Sequence, residues 1–234
     1  MAVFLAALLP VFLLLCYIWR KDPQPEPVGW LARAVLYGAL MFLPILLVEM
    51  FVASVLSAIV PANTLLGSVT TAFFVAAVPE ESFKLLALWL VLRKNPFFDE
   101  HFDGIVYAAC VSLGFAAVEN IGYLFSSLDS WQATAIARGL LAVPGHYAFG
   151  VLMGYYYSLY HFVDHSQRTR YSILLVPVLA HGLYDAIAMS GSLSPYVQGI
   201  SFFVLVYFCI KMHKFSYNRI MAQIHRDDEE QRLA

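Results

Sequence analysis

The sequence predicts an all-α, polytopic membrane helix bundle of about seven transmembrane helices. Three observations lead there. First, 61% of the 234 residues are hydrophobic and only 13% are charged; mean hydropathy is +0.71. A soluble domain carries far more charge for its size. Second, seven apolar stretches reach the roughly 20 residues that a helix needs to cross a bilayer. Third, Lys and Arg alternate from gap to gap between those stretches, as they do in multi-pass proteins.

The stretches run over about 2–19, 30–60, 66–92, 103–127, 132–160, 171–190 and 195–212. The first has no Lys or Arg before it and no clear Ala-x-Ala site, so it reads as a retained helix and not as a cleaved signal. The second and fifth are long enough to tilt or protrude. Breakers separate the stretches: "KDPQPEP", "VPAN", "RKNPFFDE", "SSLDSW", "HSQRTR" and "SGSLSP". Arg20, Lys21 and Arg33 flank the first gap, Arg93 and Lys94 lie in the third, and Arg168 and Arg170 in the fifth. The second, fourth and sixth gaps have no Lys or Arg. By the positive-inside rule the N-terminus is outside and the C-terminus cytoplasmic. Residues 1–212 then form one integral membrane domain. Residues 213–234 form a cytoplasmic tail, a surface helix with the acidic patch "RDDEEQR".

The net charge of −2 has no basic signature for nucleic acid. Cys16, Cys110 and Cys209 are far apart in apolar runs and read as small buried hydrophobes, not as a disulfide or zinc framework. The unusual feature is ionisable residues where lipid should be. "AAVPEESFKLLALW" places Glu80, Glu81 and Lys84 in the third span. "GFAAVEN" adds Glu119 and Asn120, and "ARGLLAVPGHYAFG" adds Arg138 and His146. "LAHGLYDAIA" adds His181 and Asp185, and Glu49 lies in the second span. Each has a bland reading. Lys84 can neutralise a glutamate one turn away, His181 and Asp185 share a helix face, and a lone Glu49 is commonly a structural hydrogen-bonding group. Together they need a shared polar interior, because each central ionisable group costs about 2.5–3.5 kcal/mol on insertion scales. Counting along the spans puts Glu80, His146 and His181 near mid-membrane, with Glu119, Arg138 and Asp185 in the outer halves. Gly150 and Gly154 form a GxxxG pair that permits close approach, and Pro144 predicts a kink beside His146.

Adjacent glutamates point about 100° apart on a helix, so one can face a reaction centre while the other supports it. A buried glutamate can take a proton from water, and a histidine with an Asp or Asn can stabilise the oxyanion that forms. No Ser or Cys stands beside a base, which disfavours a covalent nucleophile. Glu, His and Asp are also competent zinc ligands, although His-Glu-x-x-His is absent.

"PEESFK", "GFAAVEN", "PGHYAFG" and "AHGLYD", in this order over roughly residues 70–190, resemble the PrsW intramembrane proteases of the CAAX-protease and bacteriocin-processing superfamily. The resemblance implies hydrolysis of a peptide bond within or beside the membrane, with the catalytic core at about 66–190. The family's namesake cuts a single-span anti-sigma factor on its extracytoplasmic side, the site-1 step of a signalling cascade. Carried over, Glu80 is the water-activating base and Glu81 its partner or a second base. His181 and Asp185 match the final motif, with its proposed oxyanion hole. Glu119 takes the place where prenyl proteases have histidine, leaving it for water positioning or metal ligation. His146 lies in the third motif. Lys84, Asn120 and Arg138 are supporting residues. The EExxK spacing and Phe115-x-x-x-Glu119 favour the PrsW branch over prenyl-protein substrates. No cofactor is required on this reading. If zinc is bound, its candidate ligands are Glu119, His146 and His181. The expected setting is a bacterial cytoplasmic membrane, with the lipid bilayer and a single-span substrate as partners.

Three rivals stay open. A proton-coupled transporter would use the same residues as a relay, but no inverted repeat is visible. A noncatalytic scaffold or immunity factor of the same superfamily would need no base. A seven-helix photoreceptor would carry its lysine in the last span, not the third.

Overall fold

The computed structural model describes residues 1–233 as helices joined by short turns, with no strand among them. Seven helices follow the predicted order. They are α1 (Ala2–Lys21), α2 (Val28–Ser57), α3 (residues 65–92), α4 (Asp103–Ser126), α5 (Leu128–Val163), α6 (Gln167–Leu193) and α7 (Pro195–Leu233). Six of them are long and apolar enough to cross a membrane. The exception is α3, whose two glutamates, lysine and proline lower its hydropathy although it is helical throughout.

Inside α3, residues Thr71–Ala77 are a π-helical stretch that ends just before Pro79. Inside α5, Arg138–Ala142 is another, ending just before Pro144. The cause is shared. Proline has no N–H to close the helical ladder and its ring crowds the carbonyl four residues back. That carbonyl belongs to Val75 or Leu140, each inside a widened turn. Wide turns of this kind occur often at functional sites, and here they immediately precede Glu80–Glu81 and His146. The expected disturbance at Pro144 is therefore a π turn on its N-terminal side.

Helix α4 is the axis of the bundle, and every residue from Asp103 to Ala116 is buried. Lipid offers little hydrophobic drive between helices, so close contact must come from small residues. A Cβ on Gly114 would lie 2.0 Å from the Val35 carbonyl oxygen of α2, and one on Gly38 would lie 1.9 Å from that of Val111. On the other side, a Cβ on Gly154 would lie 2.2 Å from the Gly104 oxygen, so the predicted GxxxG pair seats α5 on α4. Large side chains such as Phe12, Leu47, Phe51 and Phe203 point outward, as a lipid-facing surface requires.

The tail does not form a separate surface helix. It continues α7 without a break through Leu233. Ser216, Ile220, Gln223 and Asp227 are buried, one per helical turn. Asp227 reaches the start of α4, where its Oδ1 and Oδ2 accept the N–H groups of His101 (2.7 Å) and Phe102 (2.9 Å). This caps α4 from 125 residues away. His101 Nε2 lies 2.9 Å from Glu230 Oε1. The junction is rich in acid. Burial raises Asp22 to about 6 and Glu100 to about 7, and neighbouring carboxylates add to both shifts.

Candidate active site

Local spacing builds the first half of the site. Helix α3 places Lys84 one turn after both Glu80 and Glu81, and all three are buried. Lys84 Nζ donates to Glu80 Oε2 and Glu81 Oε1, each at 2.9 Å. Its third polar neighbour is His146 Nδ1 on α5, at 3.2 Å. An ammonium only donates, so His146 Nδ1 accepts. Its Nε2–H is then left to face Glu119 Oε2 at 2.9 Å.

Long-range packing builds the second half. His181 Nδ1 lies 2.9 Å from Glu81 Oε1. A carboxylate only accepts, so Nδ1 carries a proton. His181 Nε2 lies 3.2 Å from Asp185 Oδ2, one turn on. Gly182 lets α6 approach α3 here, since a Cβ would meet the Phe73 ring at 2.4 Å. Phe149 stacks on the His181 ring with centroids 4.6 Å apart and planes 18° apart. Arg138 donates to Glu119 Oε2 at 2.5 Å and to Asn120 Oδ1 at 2.8 Å. Asn120 Nδ2 in turn donates to the Ala7 carbonyl of α1.

The six residues expected to be catalytic thus meet in one layer with their three supporting residues. The two glutamates divide as their helical angle predicts. Glu80 lines a cavity of about 670 Å³, whereas Glu81 is fully buried and holds His181. The cavity also reaches Glu119, His146, His181 and Asp185. It runs from this layer past Tyr123 and Ala188 to Ser126 and Met189. That is the end of the bundle whose connections have no Lys or Arg. Glu49 lines it as well, an unexpected placement for a residue read as a structural hydrogen-bonding group. The signal in the sequence was its depth on α2, level with the others.

Glu80, Glu81, His146 and His181 each offer a metal-ligating atom, and these atoms lie within 4.8 Å of one another. Two carboxylates and two imidazoles form a set that zinc accepts. Glu81 Oε2 is buried without a hydrogen-bond partner, which leaves a donor free. The donor chemistry therefore fits a metal. Lys84 Nζ stands among the same atoms, however, so an ion and the ammonium compete for one place. Glu119, a zinc candidate from sequence, is outside this set; Arg138 and His146 share its Oε2.

Sequence comparisons show which family the chain belongs to. The family model described as "PrsW family intramembrane metalloprotease" matches residues 26–211. The chain belongs to the PrsW family of intramembrane proteases. It is 38% identical over 189 residues to Protease PrsW of Bacillus subtilis (strain 168), covering 80% of this chain and 82% of that protein. It is 36% identical over 197 residues to Protease PrsW of Geobacillus kaustophilus (strain HTA426), covering 83% of each. No solved structure matches it. All four motifs that carried the resemblance lie within the matched region.

Proposed function

We propose that this PrsW-family protein hydrolyses a peptide bond of a single-span membrane protein near the outer leaflet, with Glu80 activating the water. The observation that carries the reading is Glu80 itself. It is the one member of the Glu80–Glu81–Lys84 trio that borders the cavity, and Lys84 holds its carboxylate in place. In this mechanism Glu80 takes a proton from water as the oxygen attacks the scissile carbonyl. Glu81 fixes the His181 ring through Nδ1–H, and the opposite edge of that ring, beside Asp185, stabilises the oxyanion. Glu80 then returns its proton to the leaving amine. Glu119, clamped by Arg138, orients His146. The positive-inside rule makes the basic end cytoplasmic, and the cavity runs toward the opposite end. That supports cleavage on the outer side, and an anti-sigma factor is the substrate class implied by the family resemblance.

If a metal is resident, Glu80, Glu81, His146 and His181 would hold it, and it would supply Lewis acidity. Proteoliposomes with single-span substrates that carry short outer domains test both versions. Wild-type cleavage that is lost in Glu80→Gln and insensitive to a strong chelator supports the metal-free route. Cleavage lost with chelator and restored by zinc supports the metal route. Wild-type rates in a correctly inserted Glu80→Gln sink the proposal.

A further inference from the structure

A second carboxylate cluster lies at the opposite, basic end of the bundle, outside the active site. Glu26, Asp99 and Asp103 converge where the connection between α1 and α2 meets the start of α4. One carboxylate oxygen from each lies within 4.8 Å of the others. Glu26 is 6% exposed and Asp103 0%. Asp103 Oδ2 accepts the N–H groups of Asp99 (3.1 Å) and Glu100 (2.7 Å). Its Oδ1 is buried with no partner. Asp22, itself 6% exposed, adds a second orphaned oxygen, Oδ2. Tyr107 O–H donates to Glu26. Among the described residues, no Lys, Arg or His nitrogen lies within 4.0 Å of any of these four carboxylates. The active-site carboxylates differ: Glu80 and Glu81 have Lys84, Glu119 has Arg138 and Asp185 has His181.

Buried carboxylates are paired or bind a cation, because an isolated buried charge is very costly. Here the protein supplies hydrogen-bond donors but no cationic partner. We propose that Glu26, Asp99 and Asp103 bind a hard divalent cation, magnesium or calcium. The donor set is oxygen alone, with no imidazole or thiolate to select zinc or copper. Asp99 is exposed, so water can complete the coordination shell. The bound ion would tie the first connection to the opening residue of α4, beside the Asp227 cap. The competing occupant is a proton shared between Glu26 and Asp103.

The test uses the purified full chain in detergent at pH 7.5, stripped with a chelator. It is then titrated with MgCl₂ or CaCl₂ against KCl of matched ionic strength. Thermal unfolding should show a saturable Tm rise of roughly 3–6 °C at ten times the dissociation constant. In Asp99→Asn, an exposed change that leaves the buried pair intact, the half-saturating concentration should rise about tenfold or more. In Glu80→Gln the titration should be unchanged, which separates this site from the catalytic one. The proposal is overturned by a rise no greater than that with KCl, by an identical titration in Asp99→Asn, or by loss of the response in Glu80→Gln. Stabilisation by acid alone, with no cation response, would assign the cluster to the proton.

Discussion

Replacing Lys84 with methionine would show what holds two glutamates together in an apolar interior. Lys84 is fully buried and makes two charged contacts of 2.9 Å. At an effective dielectric of about 20, each contact is worth about 6 kcal/mol before costs. The desolvation of the ammonium takes back much of that sum. Removing one side of a buried pair nevertheless costs about 3–5 kcal/mol net, because the other side is stranded. Two carboxylates are stranded here, so the upper part of that range applies. At roughly 2–4 °C per kcal/mol for a chain of this size, the upper part, about 4–5 kcal/mol, should lower Tm by about 8–20 °C. The assay is thermal unfolding in detergent with a thiol-reactive dye. Cys110 and Cys209 are free and buried, so they react only as the bundle opens. Adding Glu81→Gln should recover part of the loss, since one stranded charge is then gone. Zinc should raise the Tm of Lys84→Met more than that of the wild type, because the ammonium no longer occupies the place among the four donors. A Lys84→Met Tm within about 2 °C of wild type would refute the reasoning: the glutamates would then be neutralised by something other than this lysine.

Other outcomes follow from the same geometry. Arg138→Met should cost about 2–3 kcal/mol by leaving Glu119 and Asn120 without their charged donor, and Glu119→Gln in that background should restore part of it in the same unfolding assay. Gly114→Ala should cost about 1–3 kcal/mol, because its Cβ would sit on the Val35 carbonyl and force α2 from α4; an unchanged Tm would mean the two helices do not meet there. Asp227→Ala should cost about 1–2 kcal/mol by uncapping α4, and limited trypsin digestion should then cut faster at Arg219 and Arg226 as the end of α7 lifts away.

The number, order and type of the helices were legible in the sequence, because a bilayer demands long apolar runs and penalises charge within them. Contacts within one helix were legible too. Lys84 pairs with Glu80 and Glu81, and His181 with Asp185, because three or four residues is one turn. That these ionisable groups can meet between the midplane and the outer face followed from their depth in successive antiparallel spans. Which of them touch did not follow. Helix rotation and register are set by close backbone approach at Gly38, Gly114, Gly154 and Gly182. They are set also by the π turns before Pro79 and Pro144. Those details turn Glu119 to Arg138 and His146 and away from the metal-competent group, hand Glu81 to His181, and bring Glu49 to the cavity. They also dock the end of α7 on α4, where the sequence suggested a separate cytoplasmic surface helix. The sequence by itself determined which residues lie at which depth, since that depends on distance along each helix. Only the tertiary structure decided which residues pair, since those partners lie on different helices and meet through packing.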